Sequence, residues 1–342
     1  MSEIQVAKRL PRDIALILLF AAGVIWNLLV VQEIRAYGWG WDSHAYFLAA
    51  RHLNYSSLPN SVGAYLYAPA FAEILRPAAM LLPWPDFAAL WSISAALTLA
   101  FLLRPLSLPW RVALLYFSLW EVASGNVHWL IAVAVAMGFR RPAFWTIPML
   151  TKALPGLGIV WFAVRKEWRS LGEAILVPAA IVTFSYSVDP RPWHAWVALL
   201  RESLRHPSGT AVSIDFPVWI RAAVSLIIIV YAARSSRPPL VAVAVCLASP
   251  NWALAAVIVL YAIPVLSNAP IPSTAERSYI LNPAGESGDS RTGDGGSHPR
   301  EDVDEAPGRV EDLFGHLVGR EAPGDVPREG SDVPGDQYLP GN

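Results

Sequence analysis

The stretch IALILLFAAGVIWNLLVV, residues 14–31, decides the fold of this chain. It carries no charge and is long enough to cross the hydrocarbon core of a bilayer, which takes roughly 17–25 residues as a helix. Backbone groups in hydrocarbon must bond within their own segment, so we predict a helix rather than a strand. Lys8, Arg9 and Arg12 precede the stretch, and no small-residue cleavage site follows it before Arg35. We therefore predict a retained first helix with its basic flank in the cytoplasm.

Similar apolar segments recur along the first 267 residues, and the composition agrees with them. The chain is 54% hydrophobic and 15% charged, whereas a soluble domain carries about 25% charged residues. These features predict an all-α, polytopic transmembrane helical bundle of about 8–10 spans. Charges, Pro or Gly bound the further segments, which lie at about 65–82, 86–103, 112–139, 143–163, 171–188, 216–233 and 239–266.

The distribution of Lys and Arg predicts the sidedness, because these residues prefer the cytoplasmic side of a membrane. With the N-terminus inside, residues 33–64 and 189–215 become long outer loops. The turn at 83–85 then falls inside, and residues 112–139 form one broken crossing.

The segment after that crossing conflicts with the positive-inside rule. Arg141 precedes it and Arg165 follows it, and both are expected inside, which a single crossing forbids. Two half-helices that fold back near Lys152 to Pro155 would resolve the conflict.

The last 75 residues differ from the rest of the chain in charge and composition. Residues 1–267 carry 20 Lys and Arg against 12 Asp and Glu, whereas residues 268–342 carry 6 against 15. The second part is also rich in Gly and Pro and poor in apolar residues, so it cannot bury enough surface to offset chain ordering. We predict a transmembrane domain at 1–267 and a disordered acidic tail at 268–342.

The first outer loop holds a candidate general base. Asp42 follows the first helix amid aromatic residues, with His44 and Tyr46 close in sequence. A partly desolvated carboxyl has a raised pKa and can take a proton from an acceptor hydroxyl. A cap or a solvated charge is the alternative reading of Asp42.

Polar residues inside the later apolar segments are further candidates, because charges and polar groups there tend to face cavities. Asn126 and His128 interrupt one run, where helix–helix hydrogen bonding is the alternative. Lys152 lies away from either charged flank, and a lipid phosphate would neutralise it. Glu73 and Arg76 are three residues apart, a spacing that predicts either an ion pair on one helix face or a cavity lining.

Other chemistries lack their motifs. The sequence has no glycine-rich phosphate loop, no metal-spaced His/Cys/Glu cluster and no Gly-x-Ser-x-Gly elbow. Cys246 is the single cysteine, so no internal disulfide forms. We expect no metal, no cofactor and no nucleic-acid partner.

Taken in order, five stretches across residues 10–267 resemble glycosyltransferase family 87, the polyprenol-phosphate-mannose-dependent mannosyltransferases of the GT-C class. The stretches are Trp41-Asp42-Ser43-His44-Ala45-Tyr46, Tyr67-Ala68-Pro69-Ala70-Phe71 leading to Arg76-Pro77, Gly125-Asn126-Val127-His128, Thr151-Lys152-Ala153-Leu154-Pro155, and Leu247-Ala248-Ser249-Pro250-Asn251-Trp252.

The resemblance implies a GT-C-like fold in the cell membrane and an inverting transfer on the extracytoplasmic side. A polyprenyl-phosphate sugar in the bilayer would donate a hexose, with mannose expected, to a glycolipid, polysaccharide or glycoprotein acceptor. Asp42 would be the base and Lys152 would hold the donor phosphate. The substrate cavity would be lined by His44, Tyr46, Tyr67, Arg76, Asn126 and His128.

Two other classes remain open from the sequence. Broken helices with a buried lysine also occur in transporters and flippases for lipids or polar solutes. A non-catalytic membrane scaffold for envelope assembly is the third reading.

Overall fold

The computed structural model describes residues 3–55, 63–205, 217–249 and 254–268. These residues form helices and connecting turns with no β-strand among them, which confirms the all-α part of the predicted fold class. The acidic tail lies outside the described residues beyond Asn268, so its disorder and the predicted domain boundary stay predictions.

The described helices follow one another with short connections. Those of the first half are α1 (Glu3–Tyr37), α2 (Trp41–Arg51), α3 (Pro69–Leu81), α4 (Trp84–Leu103), α5 (Leu108–Phe117), α6 (Leu119–Ser124) and α7 (His128–Gly138). Then come the 3₁₀ helix η1 (Pro142–Trp145), α8 (Thr146–Thr151), η2 (Leu154–Ile159), α9 (Val160–Val164), α10 (Trp168–Val188), α11 (Arg191–Arg205), α12 (Val218–Arg234), α13 (Pro239–Ala248), η3 (Leu254–Ala262) and α14 (Ile263–Asn268).

Three of the described helices are long and apolar enough to cross a membrane, namely Pro11–Tyr37, Trp84–Leu103 and Trp168–Val188. Each also turns large apolar side chains outward. Leu18 of α1 is 63% exposed, Leu97 of α4 67% and Phe184 of α10 72%. Side chains of this kind are stable when lipid rather than water surrounds them. These helices therefore indicate a membrane-associated protein.

The helix α1 runs alongside α5 and α6 in the same direction. Near its start, Arg12 Nη2 donates to Ser107 Oγ at 3.1 Å. Just beyond its end, the Gly40 N–H donates to the Ala123 carbonyl at 2.8 Å. We call the end near Gly40 the site end and the end near Arg12 the basic end.

The 83–85 turn lies at the site end, beside the first loop rather than opposite to it as predicted. The Trp84 ring packs on the His44 ring with centroids 4.5 Å apart. The prediction is wrong because the preceding helix does not run between the two ends. Helix α3 has 13 residues, about 20 Å at 1.5 Å per residue, and it packs on α2, where Arg51 Nε donates to the Ala79 carbonyl at 2.8 Å.

Residues 112–139 form two arms rather than one broken crossing. Helix α6 ends at Gly125, whose φ of 71° lies in the left-handed region. Glycine adopts that region at little cost and commonly ends helices there. The chain therefore reverses at the site end, and α7 runs back to Phe139, which packs on Trp161 with ring centroids 5.1 Å apart.

The segment from Pro142 to Val164 folds back on itself. Gly158 lies directly against the Trp145 ring, and Gly156 lies against the Met149 side chain. Pairs whose numbers converge in this way mark an antiparallel hairpin, and its tip is at Lys152 and Ala153. The tip carries backbone strain, since Ala153 has a positive φ of 48°. Placement of this hairpin within a membrane stays a prediction.

Gly158→Ala is expected to destabilise the protein by about 1–3 kcal/mol, because the added methyl would overlap the buried Trp145 ring. Thermal unfolding in detergent or nanodiscs measures the change. Gly172→Ala is the matched control, since its added methyl would meet no described atom within 4 Å beyond its own stretch of helix. Alanine favours a helix over glycine, so this variant should be neutral or more stable. Equal melting temperatures for the two variants would contradict the close packing at Trp145.

Basic residues from two segments meet beside the last turn of α12. The Arg165 guanidinium donates to the Ala233 carbonyl at 3.3 Å and to Ser236 Oγ at 3.0 Å. Arg165 therefore sits beside the last turn of α12, which carries Arg234. Two basic clusters that are distant in sequence therefore lie close together.

The predicted second outer loop contains the helix α11. Its Trp193 Nε1 donates to Ser185 Oγ at 2.9 Å, and its Trp196 Nε1 donates to the Leu66 carbonyl at 3.1 Å. These bonds hold the apolar face of α11 against the site end. The remainder of that loop, residues 206–216, lies outside the described residues.

Candidate functional site

Asp42 lies in the first turn of α2, at the site end. Its Oδ2 accepts a hydrogen bond of 2.8 Å from Asn126 Nδ2. Asn126 Oδ1 in turn accepts the Val127 N–H at 2.7 Å, which fixes the amide so that its NH₂ faces the carboxylate. The two predicted residues, 84 positions apart in the chain, therefore form one unit.

The close approach of two backbones creates this unit. Gly125 lies against Ser43, and a Cβ at Gly125 would overlap the Ser43 side chain. Ser43 is fully buried, and its Oγ donates back to the Gly40 carbonyl at 3.0 Å. The first turn of α2 thus reaches Asn126 because position 125 lacks a side chain.

Gly125→Ala is expected to separate Asp42 from Asn126 and to cost about 1–3 kcal/mol of stability. Its φ of 71° adds strain for any residue with a Cβ. A thermal melt measures the stability, and a cross-linking pair at positions 42 and 126 measures the separation. Gly38→Ala is the control, since its φ of 82° imposes the same strain while no described atom lies within 4 Å. Wild-type cross-linking in the Gly125 variant would contradict the packing argument.

The pKa of Asp42 is raised from 3.8 to about 7, chiefly by burial and in smaller part by the nearby Glu121 carboxylate. The Lys152 ammonium and the Asn126 amide act in the opposite direction. The residue as a whole is only half-buried, so part of its surface remains open. A carboxyl with these properties exchanges its proton near neutral pH, as a general base must.

A second set of polar groups lies beside Asp42. His128 Nδ1 lies 3.3 Å from Glu121 Oε2, and Lys152 Nζ lies 2.9 Å from His128 Nε2. We call Glu121, His128 and Lys152 the buried polar chain. His128 and Glu121 are almost fully buried, whereas Lys152 at the hairpin tip is half-buried. The hairpin therefore places Lys152, at its tip, near Asp42.

Two tyrosines complete the cluster. The hydroxyls of Tyr46 and Tyr67 lie 3.2 Å apart, and their rings pack with centroids separated by 5.2 Å. Both hydroxyls lie within electrostatic range of the Asp42 carboxylate. Tyr46 is four residues after Asp42, which puts both on nearly the same face of α2.

Six of the eight predicted site residues thus come together, and His44 and Arg76 lie apart. His44 is about 200° around the helix from Asp42 at 100° per residue. It lines a separate cavity of about 470 Å³ with Trp39, Trp41 and Trp84. Arg76 is exposed on α3, and no hydrogen bond or ion pair among the described residues joins it to the cluster.

Glu73 does not pair with Arg76 in the described structure. Its Oε1 accepts a hydrogen bond of 2.9 Å from Ser185 Oγ of α10. Ser185 also accepts the Trp193 N–H, so Glu73 helps to hold α3, α10 and α11 together. The ion pair, one of the two alternatives for this helix face, is therefore not formed among the described residues.

Glu121 is the functional candidate that sequence reasoning missed. It is a lone carboxylate in the run Leu119-Trp120-Glu121-Val122-Ala123, and an ionisable residue in an apolar segment is by itself a signal of function. The described residues contain no group of three His, Cys, Asp or Glu that could hold a metal ion. Residues 250–253 of the last resembling motif lie outside the described residues.

The chain matches no protein-family model, no curated protein and no solved structure.

Proposed function

We propose that this chain is a multi-pass membrane glycosyltransferase with a GT-C-like bundle. It transfers a hexose, with mannose the expected sugar, from a polyprenyl-phosphate donor to an extracytoplasmic acceptor with inversion. The observation that carries the proposal is that a half-buried carboxyl whose pKa is about 7, Asp42, lies within electrostatic range of a half-buried ammonium, Lys152. One can remove a proton from an acceptor, and the other can neutralise a phosphate.

The distribution of charge supports an outer location for the site. Arg12 lies at the end of α1 far from Gly40, and Arg165 and Arg234 lie together beside the foot of the hairpin whose tip is Lys152. Lys and Arg prefer the cytoplasmic side. The site end, with Asp42 and Lys152, then faces the opposite side. Polyprenyl-phosphate sugars do not need a soluble nucleotide pool, so such a donor suits a site on that face.

Transfer would proceed in one displacement. An acceptor hydroxyl lies against Asp42, which takes its proton as the acceptor oxygen bonds to the anomeric carbon. The bond between that carbon and the phosphate oxygen breaks, and the electron pair leaves with the lipid monophosphate. Attack from the face opposite the phosphate inverts the anomeric centre.

The surrounding residues would assist the two charged groups. Asn126 orients the Asp42 carboxylate through its 2.8 Å bond. Lys152 stabilises the negative charge that develops on the leaving phosphate. Tyr46 and Tyr67 offer hydroxyls beside Asp42 that can bind sugar hydroxyls.

The deciding experiment uses purified full-length protein in lipid nanodiscs with radiolabelled polyprenyl-phosphate mannose and a membrane lipid extract. Label in a new product whose mannosidic bond has the anomeric configuration opposite to that of the donor supports the proposal. Polyprenyl-phosphate glucose tests the sugar class. If wild-type protein transfers no sugar from any such donor but moves the donor between leaflets in a proteoliposome assay, the flippase reading replaces the transferase.

The pH dependence of kcat/KM should show an acidic limb that ends near pH 7. The base works only when deprotonated, so activity should fall about tenfold per pH unit below the Asp42 pKa of about 7 and stay level above it. Initial rates between pH 5 and 8.5, with donor binding measured in parallel, provide the profile. A level profile over that range would contradict Asp42 as the base.

A further inference from the structure

The Glu121 carboxylate is buried and held in place by hydrogen bonds. It is fully buried in α6, and its Oε1 accepts the Trp129 backbone N–H at 3.0 Å. Its other oxygen, Oε2, lies 3.3 Å from His128 Nδ1. A buried carboxylate is costly unless hydrogen bonds compensate for lost water, and the bond to α7 backbone holds this one in place.

The contacts on either side of His128 determine which ring nitrogen carries the proton. An ammonium only donates hydrogen bonds, so His128 Nε2, at 2.9 Å from Lys152 Nζ, has to accept. The single proton of the neutral imidazole is then on Nδ1, and it is donated to the Glu121 carboxylate. With a carboxylate oxygen on one side of the ring and an ammonium on the other, this tautomer alone supplies each contact with one proton.

We infer that Glu121 is a positioning residue for donor phosphate, acting through His128 to hold the Lys152 ammonium at the hairpin tip. This inference rests on the proposed function, because it assigns the phosphate to the donor. Among the described residues, His128 accepts one of the three ammonium N–H bonds. The other two remain for the phosphate, and their direction is set by the bond to His128.

A glutamine at position 121 should reverse the hydrogen bonding with little change in size. If its amide oxygen keeps the bond to the Trp129 N–H, its NH₂ faces His128 Nδ1. The imidazole proton then moves to Nε2. Nε2–H and the Lys152 ammonium are both hydrogen-bond donors, so the bond between them is lost. The ammonium loses its anchor, although neither Lys152 nor the pocket shape has changed.

The test measures the tautomer and the phosphate affinity of full-length protein in nanodiscs. Nitrogen-15 NMR of ring-labelled histidine distinguishes Nδ1–H from Nε2–H, and a His128→Gln sample identifies the signal. We expect Nδ1–H in wild type and Nε2–H in Glu121→Gln. Affinity for farnesyl monophosphate should fall about tenfold in Glu121→Gln and in Lys152→Gln, and the double variant should bind no more weakly than Lys152→Gln.

Glu173→Gln is the matched control, because Glu173 also accepts a backbone N–H, from Ala143, near the opposite end. Its farnesyl monophosphate affinity should equal that of wild type. An Nε2–H proton in wild type overturns the inference, and so does a tenfold loss for Glu121→Gln that persists in the Lys152→Gln background. If Glu121→Gln does not fold, the wild-type tautomer decides alone: an Nδ1–H proton supports the inference and an Nε2–H proton overturns it.

Failure of the inference and failure of the proposed function give different results. Wild-type protein that binds farnesyl monophosphate through coupled Glu121 and Lys152, yet transfers no sugar, keeps the positioning role and removes the transferase. Protein that transfers sugar with an uncoupled Glu121 keeps the transferase and removes the positioning role.

Discussion

Asp42→Asn is expected to lower kcat for sugar transfer by about 10²–10⁴-fold, the range that positioned general bases contribute, with little change in donor KM. The amide has the size of the carboxylate, and its oxygen can still accept the 2.8 Å bond from Asn126 Nδ2. The geometry of the site is therefore kept while its proton acceptor is lost. Initial rates with labelled polyprenyl-phosphate mannose, at pH 8 where wild-type Asp42 is deprotonated, measure the effect.

The control for this substitution is Asp86→Asn. Asp86 also occupies the first turn of a helix, α4, at the site end, but it is exposed and makes no bond to the cluster among the described residues. Its kcat should match that of wild type. Retained transfer by Asp42→Asn, in protein with an unchanged melting temperature, would exclude Asp42 as the base. If the residual activity of Asp42→Asn no longer falls at acidic pH, the acidic limb of the wild-type kcat/KM profile belongs to the Asp42 carboxyl.

The membrane character and the helical class could be predicted from residues 14–31 and from composition, because hydrocarbon leaves a long apolar segment no alternative to a helix. Whether the shorter apolar segments cross the bundle from one end to the other could not be predicted. Residues 65–82 are apolar enough to suggest a crossing, yet only 13 of them form α3. That helix packs on α2, a tertiary contact that hydropathy does not encode.

For the site as well, single residues could be identified from the local sequence, whereas the contacts between distant segments could not. Asp42 and Lys152 could be singled out because each is a charge in an apolar or aromatic stretch, and Tyr46 because it lies close to Asp42 in sequence. The separation of His44 from Asp42 follows from their positions on one helix, once residues 41–51 are known to be helical rather than a loop. The contact between Gly125 and Ser43, which brings Asn126 to Asp42, links residues 82 positions apart and has no local signature.

Lys152→Met is expected to lower kcat/KM for the donor by about 10²–10³-fold, comparable to removal of one group that stabilises developing charge. Methionine keeps the length and apolar stem of lysine but has no charge to offer a phosphate. The loss should divide between a higher donor KM and a lower kcat, because phosphate is anionic in the ground state and gains charge as it leaves. Lys152→Arg should recover part of the KM effect, since it restores charge with a different geometry.

Lys166→Met provides the control for loss of a lysine charge. Lys166 is exposed and follows Arg165 beside the foot of the hairpin, away from its tip, so the kcat/KM of this variant should match that of wild type. Donor concentration series for the three variants separate binding from turnover. A normal donor KM and kcat in Lys152→Met would show that the hairpin tip does not meet the phosphate. In that case the 2.9 Å bond to His128 serves the packing of the hairpin on α7, and the leaving phosphate must be neutralised elsewhere.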